Sequence, residues 1–146
     1  MKDLKLSFLA LSYKGHPEGR LAALRDANTI LGELTRKFSQ NNLFICLFMH
    51  DGQFLDDALD SDRAIGVERS LNLLKKSEEI WIREADLTLT SGISPHSALF
   101  DELEQAKGWR KRVILFQTDP IRILKSPTMR VEGALAKVFK LRYKKD

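Results

Sequence analysis

The sequence predicts a single α/β domain with a parallel sheet of four to five strands and helices on both faces. Short apolar runs alternate along the chain with longer segments whose apolar residues recur at helical spacing. The runs LFICLFM (43–49) and RVILFQ (112–117) are almost continuously apolar, which is typical of strands covered on both faces. A length of 146 residues suits one domain, residues 1–146, and we find no repeat or linker.

The elements are predicted in the order strand, helix, strand, helix, strand, helix, strand and helix, which calls for right-handed crossovers. The strands are expected at residues 5–12, 43–49, 80–82 and 112–117. The helices are expected at about 18–39, 63–77, 94–108 and 128–143. Two segments stay open: residues 85–91 alternate like a strand but suit a loop, and residues 120–125 suit a helical turn or an edge strand.

The apolar stripes of the helices predict which side chains face the core. Four inward sets are expected along the chain: Leu24, Ala27, Leu31, Leu34 and Phe38; Ala64, Val67, Leu71 and Leu74; Leu99, Leu103 and Ala106; and Val131, Leu135, Val138 and Phe139, the last set facing the core or a partner. Trp81 is expected in the core and Trp109 as surface cover.

Composition restricts the location and the partners. The only cysteine, Cys46, lies in an apolar run and is expected to be a reduced, buried thiol. No apolar stretch is long enough to span a bilayer, and residues 1–12 read as a first strand rather than a signal peptide, so we expect a cytoplasmic protein without membrane partners. The net charge is +4, and much of the positive excess lies near residues 137–145. This segment contains no recognised nucleic-acid-binding motif. The net charge favours phosphorylated small molecules over nucleic acid.

Three loops should meet at the carboxyl ends of the strands, where open α/β sheets bind ligands. They cover residues 12–20, 50–57 and 92–102. The candidate binding residues on them are Ser12, Gly15, Arg20, His50, Gly92, Ser94 and His96. Gly15 and Gly19 precede a helix N-terminus, which suits either an anion site or a plain turn, since neither a P-loop nor a GxGxxG motif is present.

Glu102 is the principal candidate for chemistry. Ser94 suits the N-cap of its helix and Pro95 the first turn. At about 100° per residue, Glu102 lies roughly 60° from the centre of the buried face, at the border between core and solvent. It is therefore either an ordinary glutamate on a helix flank or a carboxylate held against a cleft.

Other kinds of site find less support. His16, His50 and His96 lie on three separate loops, and no spacing enforces a metal site, so none is predicted. A triad of Ser94, His50 and Asp51 lacks a nucleophile elbow.

Several segments together resemble the nucleoside 2-deoxyribosyltransferase-like superfamily, in particular its small bacterial and phage branch. They are SYKGHPEGRLAALRDA, FLDD, DRAIGVERSLNLLKKSEEIWI, SGIS and DELEQAKGWRKRVILF, which cover about residues 5–117 in the family's order. The resemblance implies a Rossmann-like three-layer fold. It also implies a homo-oligomer, a dimer or tetramer, in which a neighbouring subunit often completes the site.

The resemblance implies an enzyme that acts on the N-glycosidic bond of a nucleoside or nucleotide, by hydrolysis or base transfer and without a cofactor. Glu102 matches the family's nucleophile, Tyr13 its loop aromatic and Ser94 its sugar- or phosphate-binding serine. The chain departs from the family in a longer spacing from Ser94 to Glu102. It also has Ser70 where the enzymes carry an aspartate that assists the leaving base; Asp57, Asp62 or Glu68 lie nearby as substitutes.

Two alternatives follow from these departures. The first is a non-catalytic module that binds a nucleotide or a nucleotide derivative in the same pocket. The second is a purely structural oligomer, in which Tyr13 and Glu102 would pack together and leave no room for a sugar.

Overall fold

A computed structural model gives an α/β fold with a five-stranded mixed sheet. It describes residues 3–12, 18–56, 58–88, 93, 97–125 and 127–143, without the side chains of 127–129. The strands are β1 (Lys5–Ala10), β2 (Asn42–Ile45), β3 (Glu79–Arg83), β4 (Arg112–Gln117) and β5 (Arg122–Ile123). The helices are α1 (Arg20–Phe38), α2 (Leu47–Asp51), α3 (Asp60–Lys76), α4 (Ala98–Gly108) and α5 (Pro127–Arg142), with a 3-10 turn at Glu84–Leu87.

The sheet has the strand order β2-β1-β3-β4-β5. The first four strands are parallel, with Phe8 of β1 opposite Ile80 of β3, but β5 runs antiparallel to β4. The expectation of a fully parallel sheet is therefore corrected at its last strand. Residues 118–121 join β4 to β5, too short a segment for the crossover that a parallel pair needs.

Both faces of the sheet are buried, because alternate residues of the same strand enter two different cores. Leu9 and Trp81 pack with α1 on one face. Phe8, Ile80 and Leu115 pack with α3, α4 and α5 on the other face. This two-sided burial explains why the strands are apolar at nearly every position.

The second apolar run shows where the pattern misleads. LFICLFM was predicted as one strand, yet β2 ends at Ile45 and Leu47 begins α2. A short apolar run does not distinguish a strand from the start of a buried helix. As a result α2 lies at the carboxyl end of β2, inside the segment predicted as strand and loop.

Helix α4 starts later than predicted. Ser97 is its N-cap and accepts a hydrogen bond from the Phe100 backbone N–H at 3.3 Å, whereas Ser94 and Pro95 lie outside the described residues. The helix ends at Gly108, as predicted. Its predicted inward residues, Leu99, Leu103 and Ala106, are buried.

The remaining core predictions are confirmed in part. Cys46 and Trp81 are buried, and Trp109 is 37% exposed. Of the stripe predicted for α3, only Leu74 is buried. Of the stripe predicted for α5, Val131 and Val138 are buried and Leu135 is partly buried. Phe139 is 52% exposed, so it does not face the core, and its placement against a partner stays a prediction. Among the described residues, no helix is long and apolar enough to cross a membrane.

Candidate functional site

A pocket of about 330 Å³ opens at the carboxyl ends of β1 and β2. Helix α1 connects β1 to β2 across one face of the sheet, and α3 leads from β2 to β3 across the other face. Since β2 and β3 lie on either side of β1, these two connections diverge at the end of β1. Such a divergence leaves a crevice outside the strand ends. Its walls come from the starts of α1 and α4, from α2 and from one face of α3.

Glu102 presents its carboxyl group to this pocket from the first half of α4. The side chain is half-buried among apolar pocket residues that include Leu99 and Cys46. Burial, helped by the negative charge of Asp101, raises the pKa of Glu102 to about 8. Within the described part of the chain no group donates a hydrogen bond to this carboxyl. Glu102 is therefore mainly protonated at pH 7.

The thiol of Cys46 lies at the end of β2 on the same pocket wall. Burial first, and then the nearby Glu102 carboxyl, raise the pKa of this thiol to about 11. The thiol is neutral near pH 7 and unreactive as a nucleophile. Cys46 therefore contributes to the apolar surroundings of Glu102.

Ser12 lines the pocket, and a partly buried ion cluster holds the chain there, just after β1. The Ser12 backbone N–H donates to Asp86 Oδ2 at 3.1 Å, and Arg83 contacts both Asp86 (3.1 Å) and Asp26 (2.9 Å). Burial raises the pKa of Asp86, and the charge of Arg83 opposes this effect. The cluster ties β3, α1 and the first loop together beneath the pocket rim.

Arg20 begins α1 and also lines the pocket. Its Nη2 donates to the backbone oxygen of Leu55 at 2.8 Å, which links the start of α1 to the segment between α2 and α3. Gly19, just before it, has φ of 87°, a conformation that favours glycine. The guanidinium is thereby held beside the pocket, where it can contact an anionic or hydroxylated ligand.

Asp51 is a pocket residue that the sequence suggested only as a member of a triad, and its pairing with Arg69 was not foreseen. It is 6% exposed, and its carboxylate accepts hydrogen bonds from Arg69 Nε (2.7 Å) and Nη2 (3.1 Å). His50 Nδ1 lies 2.7 Å from Asp51 Oδ1. Burial alone would raise the pKa of Asp51, but hydrogen bonds from Arg69 and His50 outweigh it and lower the pKa. Asp51 is therefore a fixed anion that anchors α2 to α3.

One face of α3 forms a long pocket wall. Asp62, Gly66 and Ser70 follow at i, i+4 and i+8 and all line the pocket. Asp62 Oδ2 accepts the Asp56 backbone N–H at 2.9 Å. Of the three substitutes considered for the family's aspartate, Asp62 lines the pocket, Glu68 lies on the outer side of α3, and Asp57 is outside the described residues.

The structure thus brings together three of the candidate residues, Ser12, Arg20 and Glu102. His50 lies next to the pocket, with its side chain 66% exposed. The other candidates fall outside the described residues: Tyr13, Gly15, Gly92, Ser94 and His96. Among described side chains, no group of three or more His, Cys, Asp or Glu could hold a metal ion.

The arrangement offers one neutralised carboxyl in apolar surroundings, an arginine at the rim and several hydroxyl groups. Comparison of this sequence with protein-family models and with curated proteins finds no match. The assignment of a function therefore depends on the chemistry of the pocket and on the segments quoted above.

Proposed function

We propose that this protein cleaves the N-glycosidic bond of a nucleoside or nucleotide, by hydrolysis or by transfer to another base, with Glu102 as the nucleophile. One observation carries the proposal: Glu102 faces a pocket large enough for a small ligand, in apolar surroundings, at the strand ends where such sheets bind ligands. Arg20 and Ser12 at the rim suit the hydroxyl or phosphate groups of the sugar.

The chemistry is a two-step displacement. A Glu102 carboxylate oxygen bonds to the anomeric carbon, the carbon–nitrogen bond breaks, and its electron pair leaves with the base, which takes up a proton from solvent water. Water or a second base then displaces the glutamate and restores the carboxylate. Burial disfavours the charged carboxylate but not the neutral glycosyl ester, so the environment that raises the pKa of Glu102 favours the covalent intermediate.

The test is base release, measured by mass spectrometry on mixed nucleosides and nucleoside monophosphates. We expect release by the wild type and a loss of at least about a hundredfold in Glu102→Gln, because the nucleophile is absent. Glu104→Gln is the matched control, since Glu104 is exposed on the same helix. Equal release by the wild type and Glu102→Gln would refute Glu102 as nucleophile.

The pH dependence provides a second test. Attack requires ionised Glu102, so kcat/KM should rise with pH up to about 8 and then level off. A profile that falls between pH 6 and 8 would instead indicate that protonated Glu102 is the active form.

A binding module is the second candidate, and Ser70 favours it. Ser70 lines the pocket at the position where the resemblance calls for an aspartate, and a serine hydroxyl is a poor proton donor to a leaving base. Thermal stabilisation by a nucleotide, without base release, would support this alternative.

We further propose a Rossmann-like fold, a homo-oligomer and a cytoplasmic location. The order β2-β1-β3-β4 supports a Rossmann-like arrangement, and the free Cys46 supports a cytoplasmic location. A homo-oligomer is supported by the outer side of α3, where Leu71 and Trp109 line an open groove. Val67 borders both this groove and the pocket, so a second copy on the groove would adjoin the site.

The charges of α3 suit such a pairing. The helix starts with acidic Asp60 and ends with basic Lys75, so two antiparallel copies would place opposite charges together. Light scattering should show an oligomer that Trp109→Glu dissociates. Leu43→Glu, at an exposed position on β2, should leave it intact. A wild-type monomer at all accessible concentrations would refute the pairing.

A further inference from the structure

Helix α4 is held on two flanks by different parts of the protein. On one flank, Glu102 faces the pocket wall formed by α3. On the other flank, the first turn meets the end of α5: Arg142 Nη1 donates to Asp101 Oδ1 at 2.7 Å. The Arg142 guanidinium also lies over the Phe100 ring, 5.0 Å from its centroid, and Phe100 is only 1% exposed. The two residues before Glu102 in the chain are therefore both held by one arginine.

We propose that Arg142 is a positioning residue for Glu102: from α5 it fixes the first turn of α4 and neutralises Asp101, the carboxylate next to Glu102. Arg142 combines a charge-assisted hydrogen bond with stacking on a buried ring, and the planar guanidinium performs both at once. The catalytic consequence rests on the proposed function, whereas the coupling of Arg142 to Glu102 does not.

Asp101 transmits the effect because it is the charged neighbour that disfavours ionisation of Glu102. The other titratable or charged groups around the pocket are Cys46 at the end of β2, Arg20 on α1, Asp51 and Asp56 around α2, and Asp62 and Arg63 on α3. An Asp101 charge that is paired with Arg142 acts less strongly on Glu102 than an unpaired one. Loss of Arg142 should therefore raise the pKa of Glu102, and loss of the Asp101 charge should lower it.

The chain contains a matched control pair between the same two helices. Lys107 Nζ lies 3.5 Å from Glu132 Oε1, and both side chains are more than half exposed. Lys107 comes five residues after Glu102, at the other end of α4. If Arg142 only docked α5 onto α4, breaking either pair would have similar consequences.

The experiment is a carboxyl-carbon NMR titration of Glu102, assigned by its disappearance in Glu102→Gln. Arg142→Met should raise the midpoint by roughly half a pH unit, and Asp101→Asn should lower it by a similar amount. In the Asp101→Asn background, Arg142→Met should have no further effect on the midpoint. Lys107→Met should leave the midpoint unchanged.

A conservative substitution distinguishes the effect of the Arg142 charge from the effect of its packing on Phe100. Arg142→Lys keeps the positive charge but loses the planar stacking, so it should restore the midpoint while stability stays below that of the wild type. The same midpoint in Arg142→Met and the wild type, or the same shift in Lys107→Met, would overturn the proposal. If Arg142→Met does not fold, Asp101→Asn alone tests the proposal. An Asp101→Asn variant with the wild-type midpoint for Glu102 would show that the Asp101 charge does not act on Glu102, and would overturn the proposal.

Measuring base release in the same variants connects the ionisation of Glu102 to the proposed reaction. In a protein that releases base, the rising limb of kcat/KM should move with the NMR midpoint in each variant. If the wild type releases no base, the proposed reaction fails while the NMR result still decides the coupling.

Discussion

Replacing Glu102 with glutamine should stabilise the protein, and increasingly so as the pH rises. The pKa of Glu102 is about 8 in the folded state, against 4.5 for an ordinary glutamate. Below pH 4.5 the carboxyl is protonated in both folded and unfolded chains, so its ionisation does not affect stability. Between 4.5 and about 8 the unfolded chain loses this proton and the folded chain keeps it, so rising pH favours unfolding.

The size of the effect follows from the same two pKa values. The slope within the window is about 1.4 kcal/mol per pH unit, so the full loss would approach about 5 kcal/mol above pH 8. Glu102 is half-buried and borders an open pocket, where solvent relaxation lowers the folded-state pKa and this loss together, so we expect about 3–5 kcal/mol. Glutamine is nearly isosteric and stays neutral, so it removes this loss without leaving a cavity.

Urea denaturation at five pH values from 5 to 9 measures the effect. The free energy of unfolding of Glu102→Gln minus that of the wild type should be small at pH 5 and grow to about 3–5 kcal/mol at pH 9. Glu104→Gln serves as the control for the substitution itself, because Glu104 is exposed on the same helix. A difference for Glu102→Gln that is the same at pH 5 and pH 9 would refute the assigned burial.

Three further predictions concern other parts of the molecule. Cys46 should react with a thiol reagent at pH 7 far more slowly in the folded protein than in urea, because burial raises its pKa to about 11; equal rates would contradict this. Leu74→Ala should cost about 2–5 kcal/mol in chemical denaturation, and Leu141→Ala under about 0.5, since the first side chain is fully buried and the second 53% exposed. Arg69→Met should destabilise the protein at pH 7, measured by chemical denaturation, because it leaves the buried Asp51 carboxylate without its main hydrogen-bond donor; the destabilisation should shrink as the pH falls through the pKa of Asp51 in that variant.

Much of the fold could be predicted because strands buried on both faces leave a strong signal. The run RVILFQ coincides with β4, and the apolar spacing of Leu99, Leu103 and Ala106 corresponds to the buried face of α4. The direction of β5 was not predicted, because residues 120–125 suited a helical turn as well as an edge strand. The start of α4 was placed three residues early, because Ser97 offers the same capping chemistry as Ser94.

The candidate site could be predicted only where it depends on helix geometry or strand ends. The border position of Glu102 follows from its angle to the buried face, and Ser12 follows from its place after β1. The role of Asp51 was not predicted, because α2 begins inside an apolar run and its partner Arg69 is eighteen residues away. Side-chain pairs of this kind depend on how α2 and α3 pack, which residue spacing along the chain does not record.

The two flanks of α4 suggest how this protein reconciles stability with reactivity. A carboxyl held in apolar surroundings destabilises the folded state above its ordinary pKa, so something must hold its helix in place. The holding contacts lie on the opposite flank, where Arg142 fixes Phe100 and Asp101 without entering the pocket. Because Arg142 also neutralises Asp101, the contact that stabilises the helix limits how far ionisation of Glu102 is suppressed. A stabilising contact between α4 and α5 made without that positive charge would therefore hold the helix equally well and leave Glu102 less often ionised.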